Sequence, residues 1–168
     1  MLKEDIDLVV FLGDYIYEAN WGNNLVRRHA GVETETLAHY RGRHAQYKLD
    51  KDLQAIHAAA PWLVTWDDHE VDNDYANAQS EHLDPRFLLR RAAAYQAYYE
   101  HMPLALSALP RGADMRLYDQ FSYGALANFQ VLDDRQYRAP QVCPRPGMGG
   151  STFVEACAAR LDPTRSML

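Results

Sequence analysis

Cysteine is nearly missing from this 168-residue sequence, which has only Cys143 and Cys157. They lie fourteen positions apart in a Pro/Gly-rich segment, without the spacing of a zinc knuckle. Two readings of the pair stay open: a disulfide closing a loop in an oxidising compartment, or two unrelated free thiols. No apolar run approaches the roughly 18 residues of a membrane-spanning helix. The opening Met1-Leu2-Lys3-Glu4-Asp5-Ile6-Asp7 has neither the charged start nor the apolar centre of a signal peptide. Either a cytoplasmic protein or a chain whose true N-terminus lies upstream is expected. A basic stripe is absent too: net charge is -6, with the acids interspersed among Lys and Arg. No such stripe is available to displace counterions from a phosphate backbone, which argues against a nucleic-acid binder. Internal repeats and low-complexity tracts are also lacking.

What is present reads as one ordinary globular domain, 48% hydrophobic and 24% charged, long enough to bury a core. Its most unusual stretch is Thr65-Trp66-Asp67-Asp68-His69-Glu70-Val71-Asp72-Asn73-Asp74, directly after Pro61-Trp62-Leu63-Val64. Five carboxylates this close repel one another unless water or cations screen them. A strand that delivers oxygen ligands and a His onto the loop at its tip is one way to build a metal site. The alternative is a solvated acidic turn, with Asp72 or Asn73 capping the next segment.

Ile6-Asp7-Leu8-Val9-Val10-Phe11-Leu12 is a near-continuous apolar run, the pattern of a strand covered on both faces. Gly13 ends it. Residues 19–35 read as a loop. Thr36 opens a helical pattern through Leu37, Tyr40, His44 and Tyr47, and Asp50 stands where an N-cap belongs for Leu53 to Ala60. Pro61 stops that helix and Trp62 to Trp66 forms a second buried strand. Pro85 begins a helix that ends near Met102-Pro103, and its aromatic stripe reads as packing. Alternation in 117–123 and 126–132 predicts a hairpin delivering Asp133-Asp134-Arg135-Gln136 at its end. An irregular loop over 139–151 and a short, weakly helical segment follow. The fold class is therefore α/β (α+β layered). In open α/β sheets the ligand crevice lies outside the carboxyl ends of the strands, so the loops after both buried strands can share one rim.

Asp14 follows the first strand, and its two oxygens can bind two different cations. If the chain turns helically after Gly13, Tyr17 points the same way. A phenol gives up its proton only near pH ~10, so only a strongly charged hard cation such as ferric iron would claim it. Otherwise Tyr17 packs on the sheet. The other imidazoles, His29, His39, His44, His57, His82 and His101, read as surface residues.

Gly-Asp-x-x-Tyr after a buried strand resembles a motif of the metal-dependent phosphatases that include the purple acid phosphatases. Asp68-His69-Glu70 is similar to their Asn-His-Glu/Asp motif, with Asp in place of Asn. The longer runs Phe11 to Glu18, Trp66 to Asp74, Arg90 to Pro103, Leu132 to Arg138 and Asp162 to Leu168 resemble the alkaline phosphatase D (PhoD-like) family. The resemblance implies a mixed-sheet metallophosphatase sandwich flanked by helices. It also implies phosphomonoesterase or phosphodiesterase activity on a phosphate ester, iron and calcium at the site, and a periplasmic or extracellular location. Carried over, Asp14 matches the bridging carboxylate and Tyr17 the phenolate ligand of iron. The Asp67-Asp68 pair, with Asn73 or Asp74, matches the calcium-side ligands, and which Asp binds stays open. His69 matches the His facing the phosphate or leaving group. Arg135 suits a phosphate clamp, or equally an ion pair with Asp133 or Asp134.

The family has an earlier strand with an iron-ligating Cys and a later Gly-Asp-x-His strand, neither matched here. Residues 1–168 are therefore expected to form a partial catalytic domain, incomplete at both ends, with exposed sheet edges and little or no phosphatase activity by themselves. Two other functions compete. A calcium-binding module would use the alternating acids from Asp68, although Asn73 and Gln79 spoil the EF-hand pattern. A degenerate fragment would merely fold or aggregate.

Overall fold

Thr36 and Asp50 start two helices where side-chain oxygens can catch free backbone N–H groups. Thr36 Oγ1 accepts from the His39 N–H at 3.3 Å, opening α1 (Leu37–Tyr47). Asp50 Oδ1 accepts from both Asp52 and Leu53 at 3.0 Å, opening α2 (Lys51–Ala59). These helices connect β1 (Val9–Leu12) to β2 (Trp62–Thr65), which pair in parallel with Val9 opposite Trp62 and Leu12 opposite Thr65. In this computed structural model, which describes residues 3–152 and 154–162, α3 (Phe87–His101) follows. The antiparallel hairpin β3 (Asp119–Tyr123) and β4 (Ala127–Val131) comes next. Short 3-10 turns occupy Leu106–Ala108 and Ala158–Leu161. The last part of the Asp162–Leu168 resemblance, from residue 163, lies outside the described residues. Among the described residues, no helix is long and apolar enough to cross a membrane.

The architecture is mixed α/β with two small sheets. The strand reading needs one correction. β1 begins at Val9 rather than Ile6, and it is covered on one face only: Val9 is buried while Val10 is 45% and Leu12 76% exposed. Among the described residues two strands alone make this sheet, so alternate side chains face a core on one side and open surface on the other.

The aromatic stripe of α3 does pack. Trp66, one residue beyond β2, lies flat on Tyr95 at 4.2 Å and meets the Tyr98 ring edge-on at 5.5 Å. Its indole Nε1 donates to Asp133 Oδ1 at 2.9 Å, and Thr65 Oγ1 donates to the Leu132 carbonyl at 3.0 Å. Those two bonds bring the end of the hairpin onto the tip of β2. Cys143 and Cys157 form a disulfide, which resolves the open pair and clips the irregular loop.

His44 is not the surface residue that its polar neighbourhood predicts. It is fully buried, stacked on His101 at 5.0 Å and near the Tyr98 ring, and neither ring nitrogen has a hydrogen-bond partner. The cause is helical spacing: residue 44 lies one turn after Tyr40, on the face of α1 turned to the core. His29, His57 and His101 are half-buried, and His57 stacks on Trp62 at 3.9 Å. Burial pushes the His44 imidazole down to about 3, with His101 and Lys48 adding to the effect. The unfolded chain takes up this proton near pH 6.5 and the folded chain only near 3. His44 therefore opposes folding increasingly as pH falls through that window. His44→Leu is expected to gain on the parent chain by about 1.4 kcal/mol per pH unit below 6.5, read from urea unfolding at several pH values.

Candidate metal centre

The chain leaves β1 through two consecutive left-handed residues, Gly13 at φ 95° and Asp14 at φ 58°. This is a tight reversal and not a helical turn, and it needs glycine for a second reason. A Cβ on Gly13 would lie 2.4 Å from the Asp67 backbone nitrogen, so the two strand tips touch here. Buried Glu70 bonds them together. One of its oxygens accepts from the Tyr15 N–H at 2.5 Å and the other from the Asp67 N–H at 2.9 Å. Burial pushes its carboxyl up to about 7, against the pull of those two donors.

Across this junction Asp14, Asp68 and His69 each turn one ligand atom to a common point, all within 4.8 Å of one another. Tyr17 belongs beside them: its hydroxyl donates to Asp14 Oδ2 at 3.0 Å and its ring stacks on His69 at 4.1 Å. Burial pushes the Tyr17 phenol up to about 12, and the hydrogen bond to Asp14 adds to this. Only a strongly polarising cation would take its oxygen. Asp14 Oδ1 is buried and accepts no hydrogen bond, which fits a carboxylate shaped to receive an ion. Burial also raises the Asp68 carboxyl, although the Asp74 N–H, Arg135 and His69 work against it.

Glu18 orients the imidazole. Its Oε2 lies 2.7 Å from His69 Nδ1, and its Oε1 accepts from the Asn73 N–H at 3.2 Å. Burial works to lower the His69 pKa. The Glu18 contact and the nearby Asp68 and Asp14 carboxylates overcome it and bring the imidazole to about 9.

The remaining predicted residues lie outside the three-residue cluster. Asn73 donates through Nδ2 to Glu81 and to Ser151, each at 2.8 Å. Asp74 Oδ2 accepts from Ser151 Oγ at 2.6 Å. Asp67 meets the Arg135 guanidinium at 2.5 Å. Of the Asp67-Asp68 pair, it is Asp68 that the fold turns toward Asp14. Of the two readings left open for Arg135, the ion pair with Asp133 or Asp134 is not formed: its guanidinium faces other acids. Asp133 instead accepts from the Arg135 backbone N–H at 3.1 Å and from the Gln136 N–H at 2.8 Å. That turn sends the Arg135 side chain across to Asp67, Asp68 and Asp74.

Sequence reasoning misses three supporting residues: Glu18, Glu70 and Ser151. Glu70 stands inside a motif of the sequence without a role there. Glu18 likewise closes the Phe11 to Glu18 run without a role there, and Ser151 lies on a loop whose approach to the site leaves no periodic trace.

Residues 1–168 match the family model described as PhoD-like phosphatase. Alkaline phosphatase D of Bacillus subtilis (strain 168) is 59% identical over 150 residues, a match covering 84% of this chain and 25% of that protein. A solved structure of PhoD superposes with a TM-score of 0.79 at 58% identity, covering 82% of this chain and 28% of that one. The chain thus spans about a quarter of the length of the curated relative it matches.

Proposed function

From this chain's membership of the PhoD-like phosphatase family, we propose that its residues serve the metal-dependent hydrolysis of phosphate esters in a partial catalytic domain. The observation that carries this is the convergence of Asp14, Asp68 and His69 at the tips of two parallel strands, with Tyr17 on Asp14. The donor set suits ferric iron at Asp14 and Tyr17, with calcium on the side of Asp68, Asp67 and Asn73 or Asp74. Bound cations would neutralise charge on the transferring phosphoryl group and acidify the attacking water. The chain's own part is positional. Asp14 would offer an oxygen to each of two cations, Glu18 would hold His69 for the phosphate or leaving group, and Glu70 ties the two loops together. Arg135, whose guanidinium faces Asp67, Asp68 and Asp74, would have to turn from them to clamp phosphate oxygens. An open cleft of about 470 Å³ beside Tyr17, lined by Asn20, Trp21, Arg27 and His29, suits the organic part of the ester. The Cys143–Cys157 bond supports an exported protein.

The test is metal loading. Ferric iron is expected to give a tyrosinate charge-transfer colour that Tyr17→Phe loses and a chelator removes. Hydrolysis of p-nitrophenyl phosphate by these 168 residues alone should be slight, since the clustered ligands are few for two cations. Binding of calcium with no affinity for iron would instead favour the non-catalytic calcium-binding module.

A further inference from the structure

Arg135 lies where positive charge is most needed and where a cation would compete with it. Its side chain is 10% exposed. Nε meets Asp67 Oδ1 at 2.5 Å, one terminal nitrogen stands 3.4 Å from Asp68 Oδ1, and the other 3.5 Å from Asp74 Oδ1. That last nitrogen, Nη1, is buried and makes no hydrogen bond. A guanidinium settled in a purely structural ion pair would present its fork to one carboxylate. This one is divided among three and fully satisfied by none. Asp68 is common to both arrangements, turning to Arg135 on one side and to Asp14 and His69 on the other.

We infer that Arg135 is an internal counter-cation of this site, which holds Asp67, Asp68 and Asp74 together and competes with a divalent cation for them. The inference rests on the metal-site reading above and adds a residue that sets its affinity. Arginine cannot lose its proton in a protein, so its charge always opposes an arriving cation. Two charges within several ångströms at a half-buried site interact by kilocalories per mole, enough to move affinity by about tenfold or more.

Calcium binding to the 168-residue chain, followed by calorimetry at low ionic strength, tests this. Arg135→Gln removes the charge and is expected to bind calcium at least about tenfold more tightly than the parent chain. Arg135→Lys keeps the charge and is expected to bind within about threefold of the parent, which separates charge from packing. If Arg135→Gln binds calcium equally or more weakly, Arg135 is scaffold and the inference fails while the metal site stands. Should neither parent nor variant bind calcium, the site reading falls and takes this inference with it.

Discussion

Asp14→Asn is expected to lower the affinity of the chain for ferric iron by more than about 100-fold, beyond what loss of a supporting residue costs. An amide has one oxygen in place of two, and its NH₂ group presents protons where the carboxylate presents lone pairs. It cannot bridge two cations, and it no longer holds the Tyr17 hydroxyl in the same way. The substitution is a clean one for the fold. Asn tolerates the left-handed conformation of Asp14, at φ 58°, better than most residues. Dialysis against iron followed by metal analysis, beside a far-ultraviolet spectrum matching the parent, is the measurement. Iron retained in full by the folded variant would move the centre away from Asp14.

Gly13→Ala is expected to cost about 3 kcal/mol or more of stability, combining left-handed strain with a clash against backbone. Its Cβ would sit 2.4 Å from Asp67 N and 2.8 Å from the Trp66 carbonyl carbon, neither of which can step aside without parting the strands. Gly22→Ala supplies the comparison. Gly22 has a similar φ of 88°, but a methyl added there would meet no heavy atom within 4 Å, so it should cost only about 1–2 kcal/mol. Urea midpoints for the two variants give the answer. Equal losses would mean that the close approach at Gly13 carries no weight.

Much of this protein can be read in its sequence, because the strongest local signals agree with the final packing. Thr36, Asp50 and Pro61 bracket two helices by chemistry that acts within four residues, and the hairpin shows in alternation alone. The acidic run and Gly13-Asp14 stand out as strand-end loops. A topological rule then places them on one rim, where Asp14, Asp68 and His69 lie. What escapes are consequences of distance. Nothing local shows that Glu18 reaches His69 across 51 positions, or that Arg135 passes its neighbours Asp133 and Asp134 for acids 67 or 68 positions earlier. His44 reads wrongly as a surface residue because its polarity outweighs its place in the helical pattern, one turn after Tyr40 on the buried face of α1.

Parallel pairing of β1 with β2 governs when the centre can form during synthesis. Tyr15 and Glu70, which lock the junction, are 55 positions apart. The first strand therefore leaves the ribosome long before its mate, and closing so large a loop must precede any sheet bond between them. Until then Asp14 is a carboxylate on an unanchored turn, with only Tyr17 near it in sequence. A cation held jointly by Asp14 and Asp68 would therefore have to follow the crossover rather than seed it.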